Sequence, residues 1–465
     1  MQHDHNTAGA TQAPAAAPSV RLSLREKAGY GFGDFGFNLY WANISAFLLL
    51  FYTDVMGLAA AAVGTMMLVT KILDAVTDPL MGAMADRTRT RWGRFRPYLL
   101  FGALPLAAAG VLTWTVPDTS DGGKLVWAYV TFSLMMLAYT VMSMPYSALS
   151  GVITSDSQQR TTLVSFRFIA AFAGTTVVNA LTLKLVDWTG GGDEQLGWQL
   201  TLGLYGLVAS LAFLVVFATT RERIQPPPQQ RSAVRQDIAD LLHNRPWLVL
   251  FVLALVIMVT IVMRSGSLVY YLKYYVDRPD LTWLFLTCYS VALAVGAALT
   301  PVLTRFIDKR AAMMWLMVGV GVISCAMYFV PREQIWVMLA LNTLVGLLLG
   351  PKSPLAFSMY ADCADYTEWK TGRRATAMTF AAATFSQKLG GALASATIAW
   401  MLAGMGYVAN QAQSDASQLG ILLLLTVIPG VVALLAGWVM RAYPLDDASL
   451  AQIQSELASR REAQA

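Results

Sequence analysis

Histidine and cysteine are scarce in this chain of 465 residues, which has three of each. His3 and His5 stand in a polar tail and His243 in a charged loop. No zinc site or His-assisted nucleophile is in view. Cys288, Cys325 and Cys363 are too few and too scattered for a disulfide-built secreted fold. Charge is scarce as well, at 13% of residues, against about 25% in soluble domains. Apolar residues make up 56% and mean hydropathy is +0.52. A water-soluble enzyme of this size needs more surface charge than this, and long disorder needs fewer apolar residues. In a soluble protein the net charge of +5 would suggest nucleic acid. Here the place of each charge matters more than the sum, and no nucleic-acid partner is expected.

Long apolar runs are what the chain has in abundance. At 1.5 Å per residue, about 20 apolar residues cross a bilayer. Such windows fall at 29–53, 61–85, 97–116, 125–150, 161–185, 198–219, 246–272, 281–304, 312–330, 335–359, 377–402 and 417–440. They are rich in Gly, Ala, Ser and Thr, which let helices approach closely in lipid. The expected fold class is therefore an all-α membrane protein with twelve transmembrane helices. Residues 1–24 are Ala/Pro-rich and read as a disordered cytoplasmic tail, neither a signal peptide nor an anchor. Residues 25–220 are expected to form one six-helix bundle and 246–441 another. The polar, Pro-rich stretch 221–245 reads as a cytoplasmic linker, with Val234–Leu242 as a short surface helix, and 442–465 as a second cytoplasmic tail.

Basic residues orient the spans. With both termini cytoplasmic, 23 of the 33 Lys and Arg fall in inner segments, 5 at outer ends and 5 within spans. That imbalance predicts a multi-pass protein of the cytoplasmic (inner) membrane with both termini inside.

The two halves repeat. Pro79, Asp86 and Arg87 end span two with the spacing at which Pro301, Asp308 and Lys309 end span eight. Spans four and ten carry Pro145 and Pro354, and spans five and eleven carry Arg167 and Lys388. Matching features six spans apart predict two pseudo-symmetric six-helix bundles, as in the major facilitator fold.

Charges inside hydrocarbon demand a reason. Asp74 and Asp78 lie four apart on one face of span two, with Lys71 on the same stripe. Two such carboxylates repel unless something positive sits between them. A bound Na⁺, a proton or a basic side chain would satisfy them, and Thr77 and Thr140 add hard oxygen ligands. An internal salt bridge is the other reading. In the second half the matching positions are Gly296 and Thr300, so the acid pair belongs to one half only. Asp34 is the third buried acid. Arg167 and Lys388 are expected to face each other across the pseudo-twofold axis. With Trp41, Tyr139 and Tyr146 they suggest a sugar pocket, where rings stack on aromatics and hydroxyls take charged hydrogen bonds. Arg264 and Lys352 lie within spans seven and ten. Lys352, two residues before the helix-bending Pro354, has three possible fates: pairing with a carboxylate, snorkelling, or meeting an anionic substrate.

These residues resemble the glycoside–pentoside–hexuronide:cation symporters, a melibiose-carrier-like family of the major facilitator superfamily. The resemblance covers roughly residues 24–440. It rests on Tyr30–Gly36, Phe51–Asp54, Asp74–Gly82, the loop Asp86–Pro97, Met144–Tyr146, Asp365–Trp369 and Lys388–Gly391. It implies alternating access and symport of a sugar or glycoside with Na⁺, Li⁺ or H⁺, with no other cofactor. It places Asp74, Asp78, Thr77 and Thr140 at the cation site and Arg167 and Lys388 near the sugar. Asp362, Asp365, Glu368 and Arg373 fall in a cytoplasmic gate. Where the melibiose carrier holds its galactoside with aspartates, this chain has Asn38 and Ser143. That shift toward positive charge favours an anionic sugar, such as a hexuronide or sulfonated sugar, beside a neutral glycoside. A lysolipid carrier of the same fold is the runner-up reading. An enzyme is not expected, because no buried nucleophile has a His partner. The expected partners are the substrate, a monovalent cation and the lipid bilayer, with the protein a monomer.

Overall fold

The computed structural model describes residues 22–154, 157–223, 242–372 and 376–462. Every one of the twelve expected spans is helical. The helices are α1 (Leu24–Ala46), α2 (Ala60–Arg87), α3 (Arg96–Thr113), α4 (Asp121–Ile153), α5 (Ser157–Gly190), α6 (Glu194–Thr219), α7 (Arg245–Tyr270) and α8 (Thr282–Leu303). They continue as α9 (Lys309–Ala326), α10 (Ile335–Leu349), α11 (Lys352–Thr371), α12 (Thr376–Gly404), α13 (Asp415–Leu425), α14 (Val427–Val439) and α15 (Asp447–Glu462). Among the described residues, nine helices are long and apolar enough to cross a membrane, or ten when the bent α1 and its continuation count as one. The helices at the two remaining expected spans, α2 and α12, run for 28 and 29 residues and carry Lys71, Asp74, Asp78 and Lys388. Span ten is α10 plus α11, and span twelve is α13 plus α14. Each is interrupted within the membrane.

Local chemistry explains where the helices start and break. Ser23, Ser120, Asp193, Asn244 and Asp308 cap α1, α4, α6, α7 and α9 by accepting from first-turn N–H groups. The start of α3 is capped from a distance. The Glu222 carboxylate accepts from the N–H groups of Arg94, Phe95 and Arg96 at 2.8–3.0 Å. Gly93 (φ +112°) makes room for it, since a Cβ there would meet the carboxylate at 2.5 Å. The break between α10 and α11 falls at Gly350–Pro351. There α10 presses on α8 so tightly that a Cβ at Gly350 would sit 2.4 Å from the Leu293 carbonyl. Proline supplies no N–H to continue the ladder.

Helices α1–α6 pack among themselves, and α7–α14 likewise. Between the halves, α2 packs on α12, α5 on α8 and α1 on α7. The first two contacts exchange under a shift of six spans, so the interface itself is pseudo-symmetric. The repeat also reaches the helix ends. Span one closes on a five-residue π-helical turn, Phe51–Val55, and span seven on another, Tyr271–Tyr275.

The stretch after residue 442, expected as a tail, holds α15. Leu450, Ile453 and Leu457 are buried along one face of it. Glu456 accepts from the Trp369 indole at 2.6 Å, and Arg460 donates to the Trp369 carbonyl, so α15 seats against α11. Both hydrogen bonds to Glu456, from Trp369 and from Gln452, favour its ionised form and lower its pKa. All of the expected surface helix at Val234–Leu242 except Leu242 lies outside the described residues, as does Arg373.

Candidate functional site

The acid pair of α2 meets a base from the other half. Lys388 Nζ on α12 lies 2.5 Å from Asp78 and 2.9 Å from Asp74. The Thr140 hydroxyl on α4 is 2.5 Å from Asp74 Oδ1 and 3.2 Å from Asp78 Oδ1. Thr77 donates to the Asp74 carbonyl, which leaves its own lone pairs open. One lysine and two carboxylates leave this group one negative charge, which a monovalent cation would neutralise. Lys71, one turn away, does not bridge the pair. It is 4% exposed and reaches across to the Gly391 carbonyl at 3.5 Å and Ser395 Oγ at 3.4 Å, with the Trp41 ring 5.5 Å away.

A second ion pair lies within the first half. Arg167 on α5 grips Asp34 on α1, and the Tyr146 hydroxyl lies 3.0 Å from the same carboxylate and 2.7 Å from the Tyr30 carbonyl. The expectation that Arg167 and Lys388 face each other across the axis is therefore corrected. Each is drawn to an acid on the first half, because an unpaired buried charge costs far more than a paired one.

A cavity of about 230 Å³ is lined by α1, α5, α7, α8 and the start of α11. That is below the roughly 300–1,000 Å³ of drug-sized pockets, so it suits a compact substrate. Asn38, Trp41 and Lys352, singled out in the sequence, line it. Asn38 is fixed at both ends, donating to the Asp34 carbonyl at 2.8 Å and accepting from Thr175 at 3.2 Å. Tyr139 backs the site from behind, its ring 6.4 Å from that of Trp41. Ser143 and Tyr146 do not line the cavity. Tyr146 is 1% exposed and packed against Tyr30.

Arg264 is a second correction. It points away from the cavity into its own half and is 2% exposed. Its guanidinium donates to Ser324 Oγ at 2.9 Å, the Leu425 carbonyl at 3.2 Å and Asn342 Oδ1 at 2.8 Å. The break between α13 and α14 frees carbonyls in that region, and Arg264 satisfies one of them.

Sequence reasoning missed Thr175, Asn179, Ser265, Tyr289 and Ser290 in the cavity wall. A signal existed on α5, where Phe172, Thr175 and Asn179 fall on one helical face. It also missed the closure at the far face. There Asp54, in the π turn after α1, accepts from Lys273 at 2.6 Å and from Tyr274 and Tyr407. Asn410 donates to the Asp54 carbonyl at 2.7 Å. Asp54 belongs to the first half and Lys273, Tyr274, Tyr407 and Asn410 to the second, so this network shuts the halves together at that end.

Three of the residues expected at the gate, Asp362, Asp365 and Glu368, lie on α11. Asp362 pairs with Lys309 at 2.5 Å, within its own half and not across the interface. Asp365 and Glu368 follow at intervals of three on α11. Phe168 of α5 and Phe357 of α11 do meet across the interface, with ring centroids 5.6 Å apart. Past the end of α6, Arg223 donates to Glu26 of α1 at 2.6 Å, and these hydrogen bonds to the carboxylate raise the guanidinium's pKa.

Comparison with known proteins adds a frame. The family model described as MFS/sugar transport protein matches residues 29–447. The chain is 39% identical over 439 residues to the inner membrane symporter YicJ of Escherichia coli (strain K12), covering 94% of this chain and 95% of that protein. It is 38% identical over 448 residues to the putative glycoside/cation symporter YagG of the same organism, covering 96% and 97%. Among solved structures, the nucleoside transporter NupG superposes with a TM-score of 0.63 at 11% identity, covering 90% of this chain and 99% of that one.

Proposed function

The chain belongs to the MFS/sugar transport protein family, and from that premise we propose that it is a secondary active symporter importing a sugar or glycoside together with Na⁺ or H⁺. The observation that carries this reading is the position of Lys388: a base from one half occupies the acid pair of the other. A cation entering between Asp74 and Asp78 competes with Lys388 for the same oxygens. Because Lys388 rides on α12, that exchange alters the attraction between the halves at one point of their interface. Cation occupancy is thereby linked to the relative position of the bundles, which symport requires.

The cavity supplies the second substrate's site. Trp41 offers a face for a sugar ring to stack on, and Asn38, Thr175, Asn179, Ser265 and Ser290 offer groups for hydroxyls. With the positive-rich face in the cytoplasm, the Asp54 network closes the outer side, and the protein lies in the inner membrane with both termini inside. YagG, whose name describes a glycoside/cation symporter, matches nearly the whole chain, and this supports the same activity here.

Purified protein in liposomes tests the proposal. Radiolabelled glycosides should accumulate when Na⁺ or H⁺ runs inward and should only equilibrate without a gradient. Failure of every sugar and glycoside tested to respond to either gradient overturns it.

A further inference from the structure

Among the described bases within the spans, Lys352 stands apart from the ion pairs and hydrogen bonds. Among the described residues, Arg167 is matched by Asp34, and Lys388 by Asp74 and Asp78. Arg264 and Lys71 are hydrogen-bonded to carbonyls and side-chain oxygens. Lys352 has neither a carboxylate nor a hydrogen-bond partner, and it lines the central cavity together with Ser353. Every acid within reach of the membrane interior is already engaged: Asp34, Asp74 and Asp78 by these bases, Asp54 by Lys273 and Asp362 by Lys309. Its residue sits at the break of span ten, away from the ends of the span, and lines the cavity.

The backbone around it adds the same sign. Lys352 is the first residue of α11, a helix of 20 residues whose N-terminus opens within the membrane. The first N–H groups of a helix have no partner in the helix and carry its positive end. Pro354 has no N–H, and the Leu355 N–H is used by the Pro351 carbonyl at 3.1 Å. The free donors of this turn are thus those of Lys352 and Ser353. No acid lines the cavity. Tyr289, 8% exposed, lines it as well, and its hydroxyl has no hydrogen-bond partner. An ammonium lining an acid-free cavity, beside the positive end of a helix, is stabilised when an anion joins it.

Resting on the symport reading above, we propose that the cavity selects a sugar bearing a negative group, a carboxylate or sulfonate, and that Lys352 at the head of α11 is its counter-charge. The ring then lies toward Trp41, with the anionic group against the Lys352 ammonium and the first turn of α11. A neutral glycoside leaves that charge unmet.

The test is binding of matched probes to the purified full-length protein in Na⁺ buffer: methyl glycosides of the gluco, galacto and manno series and their corresponding methyl uronosides. In the wild type the best uronoside should bind about 10–100-fold tighter than its neutral mate, the range of a charge-assisted hydrogen bond. Lys352→Gln should erase that preference, while Lys352→Arg, which keeps the charge, should retain most of it. The proposal is overturned if no uronoside outbinds its neutral mate in the wild type, or if Lys352→Gln keeps the preference. Gradient-driven uptake of neutral glycosides with uronosides rejected sinks this inference and leaves symport standing. Lys352-dependent uronoside binding with no gradient-driven uptake of any sugar does the reverse.

Discussion

Lys388 of the C-terminal half lies 2.5 Å from Asp78 of the N-terminal half, so the two bundles share one charge cluster in mid-membrane. Removing Lys388 leaves two buried carboxylates unmatched, whereas removing Asp78 leaves Lys388 paired with Asp74; either change cuts a tie between the halves.

Asp78→Asn keeps the shape of the side chain and removes the charge for which a cation competes. Gradient-driven accumulation should be lost, while exchange of substrate down its own gradient survives. The measurement compares concentrative uptake with counterflow in the same liposomes. Full concentrative uptake by the variant would show that the coupling ion binds elsewhere.

Lys388→Gln leaves Asp74 and Asp78 repelling each other across one helical turn. In choline buffer the variant should be less stable by about 3–5 kcal/mol, the cost of breaking a buried pair. Added Na⁺ should then raise its thermal midpoint more than it raises that of the wild type, because the ion takes the place of the ammonium. Equal Na⁺ stabilisation of both proteins would mean that lysine and ion do not compete.

Asp54→Asn weakens the closure that joins α1 to Lys273, Tyr274 and Tyr407. Each lost charge-assisted bond is worth about 1.5–3 kcal/mol. The outward-open population should rise by at least about tenfold. A cysteine placed at Ser45, in the cavity wall, should react faster with a membrane-impermeant thiol reagent from outside. An unchanged labelling rate would assign Asp54 to local folding only.

Arg264→Met removes a guanidinium that serves Ser324, Asn342 and the Leu425 carbonyl. Stability should fall by about 3 kcal/mol, from several polar groups left unsatisfied. Protein that still folds should keep the wild-type KM for its sugar. A large KM rise at normal stability would return Arg264 to the substrate site.

The helical segments and the repeat were legible in the chain because both are written locally. Apolar length marks each span, and Pro79/Pro301 and Asp86/Asp308 recur at fixed spacing. The acid pair was legible too, since residues four apart must share a helix face. The closure at Asp54 was not, because its partners lie more than 200 residues away, and a lone Asp at a helix end gives no sign of them. The misplacement of Arg264 has the same origin: helical position says how deep a residue lies in the membrane, not which way it faces.

The sequence by itself determined how many apolar segments there are, which face is positive, and which charges must lie in hydrocarbon. Hydrophobic length and charge act residue by residue, and need no partner to be read. Only the tertiary structure decided which charge meets which. It gave Asp34 to Arg167 and both α2 carboxylates to Lys388, and it left Lys352 facing the cavity. Pairing falls off within a few ångströms, so it depends on how two bundles are set against each other, and no single segment carries that information.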